Sequence, residues 1–194
     1  LESKVATLTG EAGQLRDRVV AVLPGLTKET LRVVTPDVGG GFGMKGFLYP
    51  EQALVLVAAK LTGRPARWSG ERTEAFLADD AGRDMRTRAD IALDKDGKIL
   101  AVHIKGTANM GGYLSQVAPF IPTLAGGRIF GGLYRIPVMF AEVKSSLTNS
   151  APVDAYRGAG RPEAAYLIER LMDVAALKTG IDRVELRRRN LPAP

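Results

Sequence analysis

The chain has 194 residues, of which 45% are hydrophobic, and its 27 basic and 21 acidic residues give a net charge of +6. That length suits one sizeable domain or two small ones packed together, with an ordinary globular composition. The absence of cysteine excludes disulfides, thiolate metal sites and iron–sulfur ligation within the chain, and the single histidine, His103, argues against a zinc site held by the protein.

No apolar run reaches the length of a membrane span. The longest, Ala53 to Ala59, reads as a buried helix. No secretory signal is visible, and a cytoplasmic location is the expectation. The chain starts at Leu1 rather than Met, which reads as a fragment or a processed product. A positive net charge suits an anionic ligand, a nucleic acid or an acidic subunit surface. The basic residues are scattered, however. Their densest cluster, Arg183 with Arg187, Arg188 and Arg189, lies on a short helix opened by Asp182 and reads as solvated or facing a subunit. It lacks the aromatic residues and the longer basic face that nucleic-acid binding requires, so no nucleic-acid partner is expected.

In chain order, Thr9 is placed to cap a helix from about Glu11 to Leu23, with Leu15, Val19, Val22 and Leu23 on one face and Pro24-Gly25 as its stop. Leu31 to Thr35 reads as a strand, followed by a glycine-rich loop. Pro50 fits the first position of a helix that continues through Leu61 and ends at Gly63. Pro65 to Ser69 reads as a short strand and Thr73 to Ala78 as a short helix. Arg86 to Leu93 and Lys98 to Lys105 alternate as strands around Asp94-Lys95-Asp96-Gly97, a turn with glycine where a positive φ is wanted. His103 falls in this hairpin as an ordinary sheet residue. Pro137 to Leu147 returns to strand. A last long helix begins at Pro162, carries Ala165, Ile168, Leu171, Met172 and Ala175 as a core stripe, and is closed by Gly180 before Asp182 opens the next. The sum is an α+β fold with helices packed on an antiparallel or mixed sheet.

Two loops carry chemistry. In Val38-Gly39-Gly40-Gly41-Phe42-Gly43-Met44-Lys45, three consecutive glycines let a ligand approach the backbone, whose N–H groups can form an anion-binding concavity. Phe42 is either a core anchor or a wall against a planar ligand. Gly41 to Gly46 also matches G-x-G-x-x-G, with Glu71 further on, which makes a nucleotide-binding module an alternative. The fit is poor, because Phe47-Leu48-Tyr49 separate the glycines from the helix that should receive the pyrophosphate. In Ala155-Tyr-Arg-Gly-Ala-Gly-Arg-Pro-Glu163, free backbone donors, a helix dipole and Arg157 converge ahead of the Pro162 helix. That chemistry suits oxo, phosphate or carboxylate groups, although a tight strand-to-helix turn with an exposed arginine is an equal reading.

Taken together, the two loops resemble the glycine–phenylalanine loop and the loop near molybdenum in large subunits of the xanthine dehydrogenase, aldehyde oxidase and carbon monoxide dehydrogenase superfamily. Tyr49-Pro50-Glu51, Gly82-Arg83-Asp84, Thr148-Asn149 and Glu185 to Leu191 resemble family patterns in family order. The likeness is strong over 31–191 and weaker over 1–30, and identifies residues 1–194 as a single fragment of a molybdenum-cofactor-binding domain. It implies a molybdopterin cofactor, in bacteria commonly the cytosine dinucleotide form, with the metal held by the pterin so that no protein metal ligand is needed. It also implies cofactor contacts from Gly40, Gly41, Phe42, Gly43, Arg157 and Gly158, with Ala159 lining the substrate site. FAD and 2Fe-2S clusters are expected on partner subunits, a medium and a small one, and the remainder of the large subunit is a further partner.

The implied reaction is oxidative hydroxylation of an aldehyde, an N-heterocycle or a similar small molecule, with water as oxygen source. No catalytic residue is expected within the chain: the family's general base is a glutamate placed beyond Pro194, so the isolated chain is expected to be inactive. Departures from the family also matter. Copper-containing carbon monoxide dehydrogenases have cysteine where this chain has Gly158. Xanthine-oxidising members have glutamate and an aromatic where it has Gly46 and Ala159. A family glutamine near the metal's oxo group should fall around Gly10, where none stands, although Gln14 is close. A non-catalytic assembly piece of the same family is the other alternative.

Overall fold

The computed structural model describes residues 4–7, 12–37 and 39–192, and the chain divides into two compact units, Leu1–Asp79 and Asp80–Pro194. The expected Thr9 cap, the helix start at Glu11, the Gly10 position and Val38 lie outside the described residues.

In the first unit, β1 (Lys4–Thr7) runs parallel to β2 (Leu31–Val34), with Lys4 opposite Leu31, and α1 (Ala12–Val22) connects them. Leu15 and Val19 on α1 are fully buried, and Val19 packs with Leu31, Leu56, Val20 and Leu23. Val22, expected on this face, is 53% exposed, whereas Leu23 packs there as expected and Val20 takes the place of Val22. The next helix, α2 (Pro50–Thr62), has Pro50 at its first position and Gly63 at φ 67° as its left-handed stop. Its first turn is closed by the Tyr49 N–H donating to Gln52 Oε1 at 3.0 Å. The apolar run Ala53 to Ala59 is not buried as expected. Leu56 is the buried residue of α2, whereas Leu54 is 62% and Leu61 80% exposed. A unit this small cannot cover both faces of a helix. The segment from Pro65 to Ser69 is not a strand: none of the described residues pairs with it, and Pro65 has no N–H to donate. The expected short helix forms as α3 (Arg72–Ala78).

In the second unit, β3 (Met85–Leu93), β4 (Ile99–Gly111) and β5 (Val138–Leu147) form a sheet in that order, with β3 and β4 antiparallel and β4 and β5 parallel. The sheet is therefore mixed and the fold α+β. The β3–β4 turn is closed by Asp94, whose Oδ1 accepts from Asp96 N at 2.9 Å and Lys98 N at 2.8 Å, with Gly97 at φ 78°. Residues of β4 alternate. Val102, Ile104, Ala108 and Met110 are buried, while His103, Lys105 and Thr107 share the more open face, as in a sheet covered on one side. His103 stands opposite Asp90, with its ring centroid 5.4 Å from that of Phe140.

The covering layer is α4 (Arg161–Thr179) and α5 (Arg183–Asn190). Ile99, Val102, Ile104, Phe130, Ala164, Met172, Ala175, Ala176 and Leu186 form the core. The buried stripe of α4 starts at Ala164, not at Ala165 as expected: Ala164, Ile168, Met172 and Ala175 recur at helical spacing, and Ala165 lies about 100° further round the helix. Gly180 ends α4 at φ 71°, and the Asp182 side chain caps α5 by accepting from Val184 N and Glu185 N at 2.9 and 3.0 Å. Two members of the arginine cluster on α5, Arg187 and Arg189, make intramolecular ion pairs. Arg187 pairs with Glu169 at 2.7 Å and Asp173 at 2.9 Å, and Arg189 pairs with Glu185 at 2.9 Å. Burial, together with the Tyr134 hydroxyl's 2.6 Å hydrogen bond to Glu169, pushes the Tyr134 pKa up to about 12.

Asn190 fastens α5 to the hairpin. Its Oδ1 accepts from Ile99 N at 2.8 Å, and its Nδ2 donates to Gly97 O and Leu186 O, each at 2.9 Å. The residue is 3% exposed, so removing the amide strands the Ile99 N–H and the Gly97 carbonyl, both buried. Asn190→Ala is expected to cost about 2–4 kcal/mol of stability. Chemical denaturation checks this, and an unchanged midpoint contradicts it.

Candidate cofactor-binding loops

The first loop follows β2. Gly40, Phe42 and Gly43 have left-handed backbone, at φ 107°, 54° and 92°. A short 3-10 turn, Met44–Gly46, closes the loop, with Lys45 N donating to Gly41 O and Gly46 N to Gly43 O, each at 3.1 Å. Among the described residues, no group accepts a hydrogen bond from the N–H of Gly40, Gly41 or Gly43. A Cβ at Gly41 would meet no described residue within 4 Å, so the space outside that peptide is open to a ligand. Phe42 is 45% exposed and is not a core anchor. Its ring lies over Gly40, where a Cβ would stand 3.0 Å from it, and 5.9 Å from Lys45 Nζ. The anchor is Phe47, 5% exposed, with the Arg18 guanidinium 5.8 Å from its ring while Arg18 Nη1 donates to Gly46 O at 2.5 Å. The G-x-G-x-x-G match leads into this 3-10 turn, and α2 starts only at Pro50, so the glycine loop does not open an α-helix.

The second loop runs from Asp154 into α4. It is held from below by Asp154, which is 2% exposed. Its Oδ2 accepts from Gln116 N at 2.8 Å and Val117 N at 3.2 Å, and its Oδ1 from Ala155 N at 2.6 Å. From the side it is held by Arg83, which has a left-handed φ of 56°. Arg83 donates to the carbonyl of Tyr156 at 3.5 Å and to that of Arg157, its guanidinium lies 5.0 Å from the Tyr156 ring centroid, and it pairs with Glu163 at 3.7 Å.

Gly158, Ala159 and Gly160 are left-handed in succession, at φ 96°, 42° and 88°. The glycines at 158 and 160 are required by the chain's own packing. A Cβ at Gly158 would stand 2.6 Å from the Pro162 ring, and one at Gly160 would strike the Ile121 carbonyl oxygen. Arg157 and Gly158 are exposed, and Ala159 is half-buried. Among the described residues, the Gly158 N–H has no acceptor. Arg157 is thus delivered by an exposed turn that is itself rigidly held, with α4 starting four residues later.

Sequence reasoning missed Arg18, Phe47 and Asp154 and saw Arg83 only as part of a three-residue pattern. The available signal was the lone acidic residue in Pro152-Val153-Asp154-Ala155, since a carboxylate amid apolar residues at a loop root needs donors.

Residues 7–191 match the molybdopterin cofactor-binding domain. The chain belongs to that family. It is 36% identical over 185 residues to the carbon monoxide dehydrogenase large chain of Hydrogenophaga pseudoflava, a match covering 94% of this chain and 23% of that one. It is 34% identical over 174 residues to the 6-hydroxypseudooxynicotine dehydrogenase complex subunit gamma of Paenarthrobacter nicotinovorans, covering 90% and 22%. The crystal structure of quinoline 2-oxidoreductase from Pseudomonas putida 86 superposes with a TM-score of 0.91 at 32% identity, covering 98% of this chain and 24% of that one. This member of the molybdopterin cofactor-binding domain family therefore spans under a quarter of the length of these relatives. No helix among its described residues is long and apolar enough to cross a membrane.

Proposed function

We propose that this chain is the cofactor-holding portion of a molybdenum hydroxylase large subunit acting on an aldehyde, an N-heterocycle or a similar small molecule, and that its two units serve as parts of one cofactor-binding domain. The observation that carries this reading is a pair of loops, both inside the family-matched stretch, whose Gly40, Gly41, Gly43 and Gly158 N–H groups have no acceptor among the described residues, the last of them beside the exposed Arg157. Such donors suit the phosphate, oxo and dithiolene groups of a molybdopterin. Among the described residues nothing lies within 4 Å of a Cβ placed at Gly41, so a ligand has room to approach that peptide.

Gly40, Gly41 and Gly43 would hold the cofactor through backbone N–H groups, Phe42 would lie against it, and Arg157 with the Gly158 N–H would hold an anionic edge. Ala159 would line the substrate side. When bound, the cofactor supplies a two-electron redox centre for hydroxylation with oxygen from water. The cytosine dinucleotide form is the variant proposed, with FAD and 2Fe-2S clusters on medium and small partner subunits, in the cytoplasm. The general base and most of the substrate pocket come from the remainder of the large subunit, which makes the isolated chain inert. Gly158 offers no sulfur to copper, so copper-dependent carbon monoxide oxidation is not part of this reading.

Arg157→Ala in the full-length protein is expected to lower molybdenum retention or turnover by about ten- to a hundredfold, the worth of a charge-assisted contact, with the fold intact. Metal analysis and circular dichroism on the same sample check this. Wild-type molybdenum content together with wild-type turnover contradicts the role given to Arg157.

A further inference from the structure

Arg83 makes more contacts with the second loop than packing alone requires. A guanidinium is a planar fork of donors with a face that stacks on aromatic rings. Arg83 uses all of these features at once. Its fork reaches the consecutive carbonyls of Tyr156 and Arg157, its face lies 5.0 Å from the Tyr156 ring centroid, and Nη1 stands 3.7 Å from Glu163 in the first turn of α4. The other Glu163 oxygen, Oε2, is buried with no hydrogen-bond partner among the described residues, so Arg83 is the charge that balances this carboxylate. Arg83 itself sits at φ 56°, and a Cβ on the preceding Gly82 would stand 3.0 Å from Tyr156 Cβ. A left-handed non-glycine residue costs free energy and persists where its surroundings over-determine it.

We infer that Arg83 is a positioning residue for the cofactor site: it fixes the Tyr156–Arg157 peptides, and through them the direction in which the Arg157 side chain and the Gly158 N–H leave the turn. This rests on the function proposed above. Lysine at 83 keeps the charge opposite Glu163 but cannot span two carbonyls or stack on Tyr156, so charge and positioning separate in that variant.

The experiment compares Arg83→Lys and Arg83→Ala with wild type in the full-length complex, without needing the natural substrate. It reads the unfolding midpoint, the rate of molybdenum loss on dilution, and the Mo(V) electron paramagnetic resonance signal after dithionite reduction. The expected result for Arg83→Lys is an unchanged midpoint, molybdenum loss faster by about tenfold, as for groups that orient direct ligands, and a shifted Mo(V) signal. Arg83→Ala is expected to show both effects more strongly. Wild-type retention and signal in Arg83→Lys overturn the inference, as does loss that merely tracks a lowered midpoint in both variants. A wild-type complex devoid of molybdenum and pterin overturns the proposed function itself, and the inference with it.

Discussion

Gly160→Ala in the full-length protein is expected to lower stability by about 2–5 kcal/mol and to empty the cofactor site. The loss has two sources. Gly160 has φ 88°, a conformation that costs an alanine about 1–2 kcal/mol. The new methyl would also strike the Ile121 carbonyl oxygen and stand 2.9 Å from Gly126 N and 3.2 Å from Gly126 Cα. All three are backbone atoms, so no side-chain tip can swing aside, and such overpacking costs about 1–3 kcal/mol more. Relief would require the 121–126 segment and the Arg157 loop to part. Gly41→Ala is the control. Its Cβ meets nothing within 4 Å among the described residues, so stability should hold while cofactor occupancy falls. Thermal unfolding and molybdenum content, measured on both variants, separate the two cases. A Gly160→Ala protein with wild-type midpoint and metal content contradicts the packing described here.

Asp154→Ala is expected to be comparably severe, at about 2–4 kcal/mol, because it removes a buried carboxylate that three part-buried N–H groups share as acceptor. The N–H groups of Gln116, Val117 and Ala155 all converge on this carboxylate, which is 2% exposed. Water cannot easily replace it at that depth. The substitution also frees the root of the second loop from the segment carrying Gln116, so the cofactor should be lost along with stability. Asp154→Asn keeps one acceptor oxygen and should fall between alanine and wild type. Denaturant midpoints for the three proteins check this order, and an alanine variant as stable as wild type contradicts it.

The legibility of this chain followed the range of the interactions involved. The β3–β4 hairpin could be read because alternation and the Asp94–Gly97 turn are local and agree. The helix ends at Pro50, Gly63, Gly180 and Asp182 could be read for the same reason, since caps act within one turn. The strand β1 could not be read. Four residues carry no usable period, and their pairing with β2 is parallel and distant in sequence. The Ala164 register was missed because neighbouring alanines give periodicity no way to choose between them.

At the candidate site, the loops themselves were visible as glycine-rich strings, and the exposure of Phe42 removed one of the two readings that the sequence left open, the core anchor. What holds the loops was not visible. Arg83 lies 74 residues from Arg157, and Asp154 is 38 residues from Gln116, so neither partnership leaves a local pattern. The apolar run of α2 was misread because burial depends on what covers a helix, and within the first unit Leu54 and Leu61 remain exposed.

The central claim is that these loops hold a molybdopterin, and the most direct measurement is metal and pterin analysis of the native full-length complex. The expected result is molybdenum and pterin in equal amounts, about one each per large subunit, with cytosine nucleotide released on hydrolysis, as one set of backbone donors per chain requires. A well-folded complex containing neither molybdenum nor pterin would contradict it.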